Sequence, residues 1–317
     1  MSDDAIFVAI AAYREPELAD TISSCLQRAN RPERLRFGVC QQYDDDLDGA
    51  GADSLDELAA QWPIERVRLP HHQTRGGCWA RNVAQGLYQG EPYTMQIDAH
   101  SRLAPGWDDE FCTVMADLPS ERPILTGFPP LYVVEDGIDR IVDDSGLPVP
   151  ITVIDHWSRD GWLHHPTTPA PQRAALRPRR TRMLSGAFVF TIGRWNIDVR
   201  QDPEHLYAGE EFALTVRSFT HGYELWNPPR RLVWHRLHPQ SNAKYITDDP
   251  DERSAWRHAR ACARLRTLLD GDPEGILGPY GLGDERPLDD FWRFSGLHWP
   301  IRTIDDDARR GVEPTGR

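Results

Sequence analysis

The chain is short of cysteine, of positive charge and of long apolar runs, and each shortage narrows what it can be. Its five cysteines (Cys25, Cys40, Cys78, Cys112 and Cys262) are scattered over 317 residues, odd in number and without a C-x-x-C pair. That pattern argues against a disulfide frame or a zinc site and predicts free core thiols in a reducing compartment. No apolar run approaches the roughly 20 residues a membrane helix needs. The start, Met1-Ser2-Asp3-Asp4, is acidic and the apolar run after it is only strand length, so no secretory signal is expected. A formal net charge of −13 excludes a general binder of nucleic acid or anionic membrane, because both demand a basic surface. These absences set the expectation of a cytoplasmic protein. No internal repeat is present. The 39% hydrophobic content is ordinary for a globular chain, and the length suffices for one large domain or a domain plus a lobe.

What is present reads first as strand–helix alternation. Ile6 to Ala12 is an apolar run suited to a buried strand. Pro16 opens a helix with Leu18, Ile22, Cys25, Leu26 and Ala29 at the helical period, and Arg31-Pro32 ends it. Leu35 to Gln42 reads as a second strand. An acidic segment follows, then a short helix to about Trp62 and a third strand from Ile64 to Leu69. From Gly77 a helix carries Trp79, Val83 and Leu87 on one stripe and leads into Tyr93–Asp98. The expected class is α/β, a mostly parallel, Rossmann-like sheet flanked by helices. Ligands of such sheets sit at the carboxyl ends of the strands. Tyr13-Arg14-Glu15, Gln41-Gln42-Tyr43 and Asp98-Ala99-His100 all fall there.

Asp98 and His100 stand two residues apart and project to one side of an extended backbone. A carboxylate with an imidazole suits a divalent ion such as Mn²⁺. The alternative is an Asp that caps the following turn beside a surface His. Arg75 and Arg81 flank the start of the Gly77 helix, where a cation and the positive helix end suit an anion; ion pairing to nearby carboxylates is the competing account of each. Glu210 and Glu211 share a second helix start. Negative charge is stabilised there, which accounts for one of them, and helix direction favours Glu210 for a site.

The middle is less regular. Proline-rich Gly127–Arg182 carries three strand-like pieces, Leu131–Val134, Arg140–Val142 and Val149–Asp155. Its end holds five arginines (Arg173, Arg177, Arg179, Arg180, Arg182), read either as a solvated loop or as a flap that closes on phosphates. Met183–Thr191 resumes an apolar run, and Leu232–His235 looks like a last short strand. After Asp248-Asp249-Pro250, a helix to about Leu269 and a Gly/Pro-rich tail suggest a lobe. The acidic clusters Asp44–Asp46 and Asp305–Asp307 read as solvated. Trp107, Trp195, Trp226 and Trp234 suit sugar stacking, although packing is the commoner use of tryptophan.

Five stretches carry a resemblance. They are Tyr13-Arg14-Glu15-Pro16-Glu17-Leu18, Arg75-Gly76-Gly77-Cys78-Trp79-Ala80-Arg81-Asn82, and Gln96-Ile97-Asp98-Ala99-His100-Ser101-Arg102 with Pro105-Gly106-Trp107-Asp108. Gly209-Glu210-Glu211 and Tyr280-Gly281-Leu282-Gly283 follow. In this order they resemble the polypeptide (hydroxyproline) N-acetylglucosaminyltransferases, cytoplasmic enzymes of GT-A fold. Ala99 replaces the family's usual serine, and Gly77 its usual proline. The resemblance implies a GT-A domain over residues 1–247 and a C-terminal helical lobe over 248–317. It implies a UDP-sugar donor and Mn²⁺ or Mg²⁺ held by Asp98, His100 and His235, the last otherwise a plain core histidine. It places uridine at Ala11, Ala12, Tyr13, Arg14 and Glu15, where small residues let a ring lie against the backbone; Glu15 also suits a cap of the helix at Pro16. Arg75 and Arg81 would hold uridine or phosphate, and Glu210 or Glu211 would face the donor sugar or orient the acceptor.

The expected reaction is retaining, metal-dependent transfer of a sugar, GlcNAc by resemblance, from UDP to a hydroxyl of a protein, glycan or small molecule. The alternatives are an inverting transferase with a carboxylate base at Glu210 or Glu211, and a non-catalytic nucleotide-sugar binder. The proline-rich middle matches the family poorly, so the acceptor does not transfer.

Overall fold

Ile6, Val8 and Ile10 enter one apolar cluster while Phe7 and Ala9 enter another, as expected of a strand covered on both faces. This strand, β1 (Ile6–Tyr13), is the spine of the fold. The computed structural model describes residues 3–44, 54–141, 146–206, 209–236 and 251–315. Helix α1 (Leu18–Arg28) buries Leu18, Ile22, Cys25 and Leu26 against the first cluster. Then come β2 (Leu35–Tyr43), helix α2 over residues 54–61, β3 (Ile64–Pro70), α3 (Gly77–Gln85) and β4 (Tyr93–Asp98). β1 pairs in parallel with β2 and β4, and β2 with β3. The register sets Ala11 beside Asp98 and Tyr13 beside Gln42, so the three expected ligand-binding ends share one edge.

β5 (Ser101–Leu103), α4 (Trp107–Asp117), β6 (Pro123–Thr126), β7 (Leu131–Glu135) and β8 (Ile138–Ile141) follow. Next are β9 (Arg179–Arg180), β10 (Phe188–Ile192), α5 (Glu210–Thr220), β11 (Glu224–Asn227) and β12 (Val233–Arg236). The main sheet has eight strands in the order β9-β11-β6-β10-β4-β1-β2-β3. β10 runs antiparallel to both neighbours, a reversal in an otherwise largely parallel sheet. It starts at Phe188, later than the apolar run beginning at Met183 predicts. The preceding amides are engaged by side chains instead: Leu184 by Thr215, Ser185 by Thr126, and Gly186 by Glu211.

A second sheet, β5-β12-β7-β8, sets His235 opposite Ser101. Val149–Asp155 is not one strand. Ile151–Thr152 pairs with Thr167–Thr168, and His156–Trp157 forms a separate hairpin with Leu163–His164. Pro166, which has no N–H to give, lies between the two ladders. The strand expected at Arg140–Val142 ends at Ile141, and Val142 lies outside the described residues.

Helix α6 (Asp251–Leu269) and helix α7 (Leu288–Ser295) pack Leu265, Leu268, Phe291 and Trp292 against Phe212, Val216 and Phe219 of α5. All five cysteines are free, and all but Cys112 are buried. Among the described residues no helix is long and apolar enough to cross a membrane.

Candidate active site

Asp98 ends β4, His100 opens the turn into β5, and β12 delivers His235 alongside that turn. The Arg236 amide donates to the His100 carbonyl at 3.0 Å, which fixes the two histidines side by side. His100 Nδ1 lies 2.8 Å from Glu15 Oε2 and its Nε2 lies 2.8 Å from His235 Nε2. His235 Nε2 is also 3.2 Å from Asp98 Oδ2. A histidine that gives its Nδ1 proton to a carboxylate keeps a lone pair on Nε2. Two ring nitrogens this close need a proton or a metal ion between them. Burial opposes charge on His235, but the hydrogen bond to Asp98 and the carboxylate's charge outweigh it and raise its pKa. Burial likewise opposes the charged form of Asp98. Arg81, then His235, overcomes it and holds the carboxyl well below the usual range. One carboxylate oxygen and two imidazole nitrogens thus lie within 4.8 Å of one another, a donor set that fits a divalent ion of intermediate hardness.

Arg81 is the hub beneath this triad. Its Nη2 donates to Asp98 at 2.9 Å and its Nη1 to Glu210 at 2.8 Å, so the ion-pairing account of Arg81 is what the structure displays. Burial works against its charge, yet Glu210 and Asp98 together raise its pKa. Glu210 also accepts from the Cys78 thiol. Gly186 leaves room for this guanidinium, because a Cβ at that position would stand 2.9 Å from Arg81 Nη1 and Arg81 would have to shift from its two carboxylates. Glu211 faces elsewhere: it accepts from the Gly186 amide at 2.7 Å and lies 3.4 Å from His165 Nε2. Burial pushes its carboxyl up to about 7, the Gly186 bond opposing and the neighbouring Glu210 charge assisting. Burial also pushes the His165 imidazole down to about 4.

At the end of β1, Ala12 is buried and Ala11 and Tyr13 are partly so. Arg14 adopts a left-handed φ of 47°, an uncommon state for a residue with a side chain, and its Nε meets Asp44 at 2.9 Å. Such local strain gathers at functional sites. Glu15 does two things at once. Its Oε1 accepts the Glu17 amide at the start of α1, and its Oε2 orients His100. Arg75 is exposed, with its guanidinium 6.0 Å from the Trp79 ring centre. Burial first, and the Arg75 charge second, lower the pKa of Arg257 on α6, so two cations approach each other at this rim.

Other candidates are structural. Trp107, Trp195, Trp226 and Trp234 are all buried. In the basic segment, Arg177 forms two bonds to Glu313, Arg180 pairs with Glu224, and Arg182 donates to the Ser295 carbonyl. The flap reading loses these three arginines to fixed partners. His165 entered the neighbourhood of the site without a sequence signal, since only its contact with Glu211, far along the chain, marks it. Cys78 lies in one of the stretches that carry the resemblance, but its partner Glu210 is not readable from it.

A protein-family model described as Glycosyltransferase (GlcNAc) matches residues 5–60 and 50–300. The chain belongs to this glycosyltransferase family. Among solved structures it is similar to GalNAc-T7 crystallised with UDP, GalNAc and Mn²⁺, at 18% identity and a TM-score of 0.61. That match covers 91% of this chain and 54% of the other, so the chain spans about half the length of GalNAc-T7. It is also similar to Staphylococcus aureus TarS in complex with UDP-GlcNAc, at 10% identity and a TM-score of 0.49, over 78% of this chain and 61% of that one. No curated protein matches by sequence. The likeness to GalNAc-T7 bears out the GT-A fold, and the family is one of glycosyltransferases.

Proposed function

We propose that this glycosyltransferase moves GlcNAc from UDP to a hydroxyl, with retention at the anomeric carbon. The convergence of Asp98, His100 and His235 carries the reading. A divalent ion held there, Mn²⁺ or Mg²⁺, supplies positive charge where the diphosphate departs. Arg81 keeps Asp98 ionised, and Glu15 holds the His100 ring with Nε2 toward the site. Ala11 and Ala12 leave room for uracil, with Tyr13, Arg14 and Glu15 around the uridine and Arg75 at the phosphate rim. In the transfer the bond from C1 to the phosphate oxygen breaks and its electron pair stays on the diphosphate. The acceptor oxygen bonds to C1 on that same face and its proton passes to the departing oxygen. Glu210, tied to Arg81 and Cys78, sets the floor of the sugar site. The acceptor is a hydroxyl of a protein, a glycan or a small molecule, because the proline-rich middle that would bind it matches the resembling family poorly. The five free thiols support work in the cytoplasm. Residues 248–317 serve as the lobe of a domain formed by 1–247.

A second reading rests on Glu211. A carboxyl raised to about 7 is suited to accept a proton from an acceptor in an inverting displacement. Turnover of UDP-GlcNAc with Mn²⁺, followed by the anomeric configuration of the product, tests both. Retained configuration that survives Glu211→Gln supports the first reading; inversion that this substitution abolishes supports the second. Absence of turnover with every UDP-sugar and acceptor offered would leave nucleotide-sugar binding without catalysis.

A further inference from the structure

A second trio of metal-capable side chains lies away from the active site, between α6 and the hairpin His156–His164. His258 and Cys262 stand one turn apart on α6, and Asp160 reaches them from the hairpin tip. His258 Nε2 is 3.5 Å from Cys262 Sγ and 3.6 Å from Asp160 Oδ2, and the three ligand atoms lie within 4.8 Å of one another. The 3.5 Å separation is that of a thiol–imidazole hydrogen bond as well as of two zinc ligands, so the 3.6 Å histidine–carboxylate separation is the one that discriminates. Tetrahedral zinc bond lengths set neighbouring N, O and S ligand atoms roughly 3.2–3.6 Å apart. A histidine–carboxylate hydrogen bond is shorter, close to about 2.8 Å. The exposed trio Asp155, His156 and His164 illustrates the difference. Its Asp155 Oδ2 lies 2.9 and 3.0 Å from the two Nδ1 atoms, so that trio is satisfied by direct hydrogen bonds.

We infer that Asp160, His258 and Cys262 form a site for a borderline-soft divalent metal such as Zn²⁺, with water as the fourth ligand. The thiol is buried and one ligand is sulfur, which selects zinc over the hard ions suited to carboxylates and carbonyls. Arg266 Nη2 lies 3.5 Å from Asp160 Oδ1. It orients the carboxylate and leaves Oδ2 toward the ion, as an outer partner of a metal ligand does. Binding releases the thiol proton to solvent and forms the metal–sulfur bond. A search for C-x-x-C pairs misses this arrangement, because one ligand comes from a different element.

The place of the site gives it a role. Gly209, at the start of α5, has φ 79°, and a Cβ there would strike Leu265 of α6 at 2.4 Å and Trp162 of the hairpin at 3.3 Å. Helix, hairpin and the residue before Glu210 therefore meet at one point. A metal joining α6 to the hairpin braces that junction, and His165, which faces Glu211, follows directly on the hairpin.

Cobalt(II) titrated into the full-length metal-free protein tests this. Expected is a sulfur-to-cobalt charge-transfer band with tetrahedral ligand-field absorption, displaced by Zn²⁺. Cys262→Ser should abolish the charge-transfer band, and His258→Gln should weaken Zn²⁺ binding by at least the roughly 10–100-fold that losing an outer-shell partner costs. Asp98→Ala should leave the band intact, because the active-site trio has no sulfur ligand, so this result stands or falls separately from the proposed transfer reaction. Circular dichroism of each variant confirms that the fold is retained. Absence of the band in wild-type protein, or its persistence in Cys262→Ser, would overturn the site.

Discussion

Arginine–carboxylate pairs occur both at the carboxyl edge of the main sheet and in the proline-rich segment, and the two regions use them differently. At the sheet edge, the Arg81 side chain is 14% exposed and sits between Asp98 and Glu210. In the segment, Arg177 is 62% exposed and clasps Glu313. The bond lengths are similar, so distance does not distinguish them. Burial does. A guanidinium removed from water with two carboxylates beside it holds their charges in place, whereas one left in water is screened and contributes little. The first region is a site whose electrostatics are set in advance of any ligand; the second is a fastening of the chain to its own C-terminal end.

Substitutions widen or close that difference. Asp98→Ala should have the largest effect, lowering UDP-sugar turnover by roughly 10²–10³-fold or more while circular dichroism remains that of the folded protein. Undiminished turnover would remove Asp98 from the site. Arg81→Met leaves buried Glu210 and half-buried Asp98 without their cation, and denaturant unfolding should register a loss of about 3–5 kcal/mol. Glu211→Gln should act through pH. Burial raises the folded pKa of Glu211 to about 7 from its ordinary 4.5. The folded protein therefore binds more protons than the unfolded chain between those values, and stability falls as pH rises through that window. Glutamine removes the dependence, so the variant should gain about 1–3 kcal/mol over wild type at pH 8 compared with pH 4. Parallel stability profiles would reject the raised value. Arg177→Ala should cost only about 0–1 kcal/mol in the same unfolding assay. A loss as large as that of Arg81→Met would erase the contrast between the regions.

The strands of the first half were legible because their apolar runs match burial on two faces, as in β1, and because Pro16 and Arg31-Pro32 punctuate α1. Asp98-Ala99-His100 could be set at a sheet edge from that alternation alone. Its surroundings could not. His100 meets His235 across 135 residues and Arg81 meets Glu210 across 129, and spacing carries no information over such distances. Family resemblance named His235; the second sheet is what places it against His100. Likewise the Gly209-Glu210-Glu211 helix start was readable, but the parting of the two carboxylates, one toward Arg81 and the other toward Gly186, depends on how β10 begins. In the middle of the chain, two-residue strands interrupted by prolines carry too short a pattern for alternation to show.

The most direct test of the account is the melting temperature of the full chain with UDP-GlcNAc, with and without Mn²⁺, in wild type and His235→Ala. Ligand at a hundredfold excess over its Kd stabilises a folded protein by about 2.7 kcal/mol. The account predicts a rise of a few degrees for wild type with sugar nucleotide and Mn²⁺ together, much less without the metal, and little in His235→Ala. An unchanged melting temperature for wild type under all conditions, or an equal rise in His235→Ala, would contradict it.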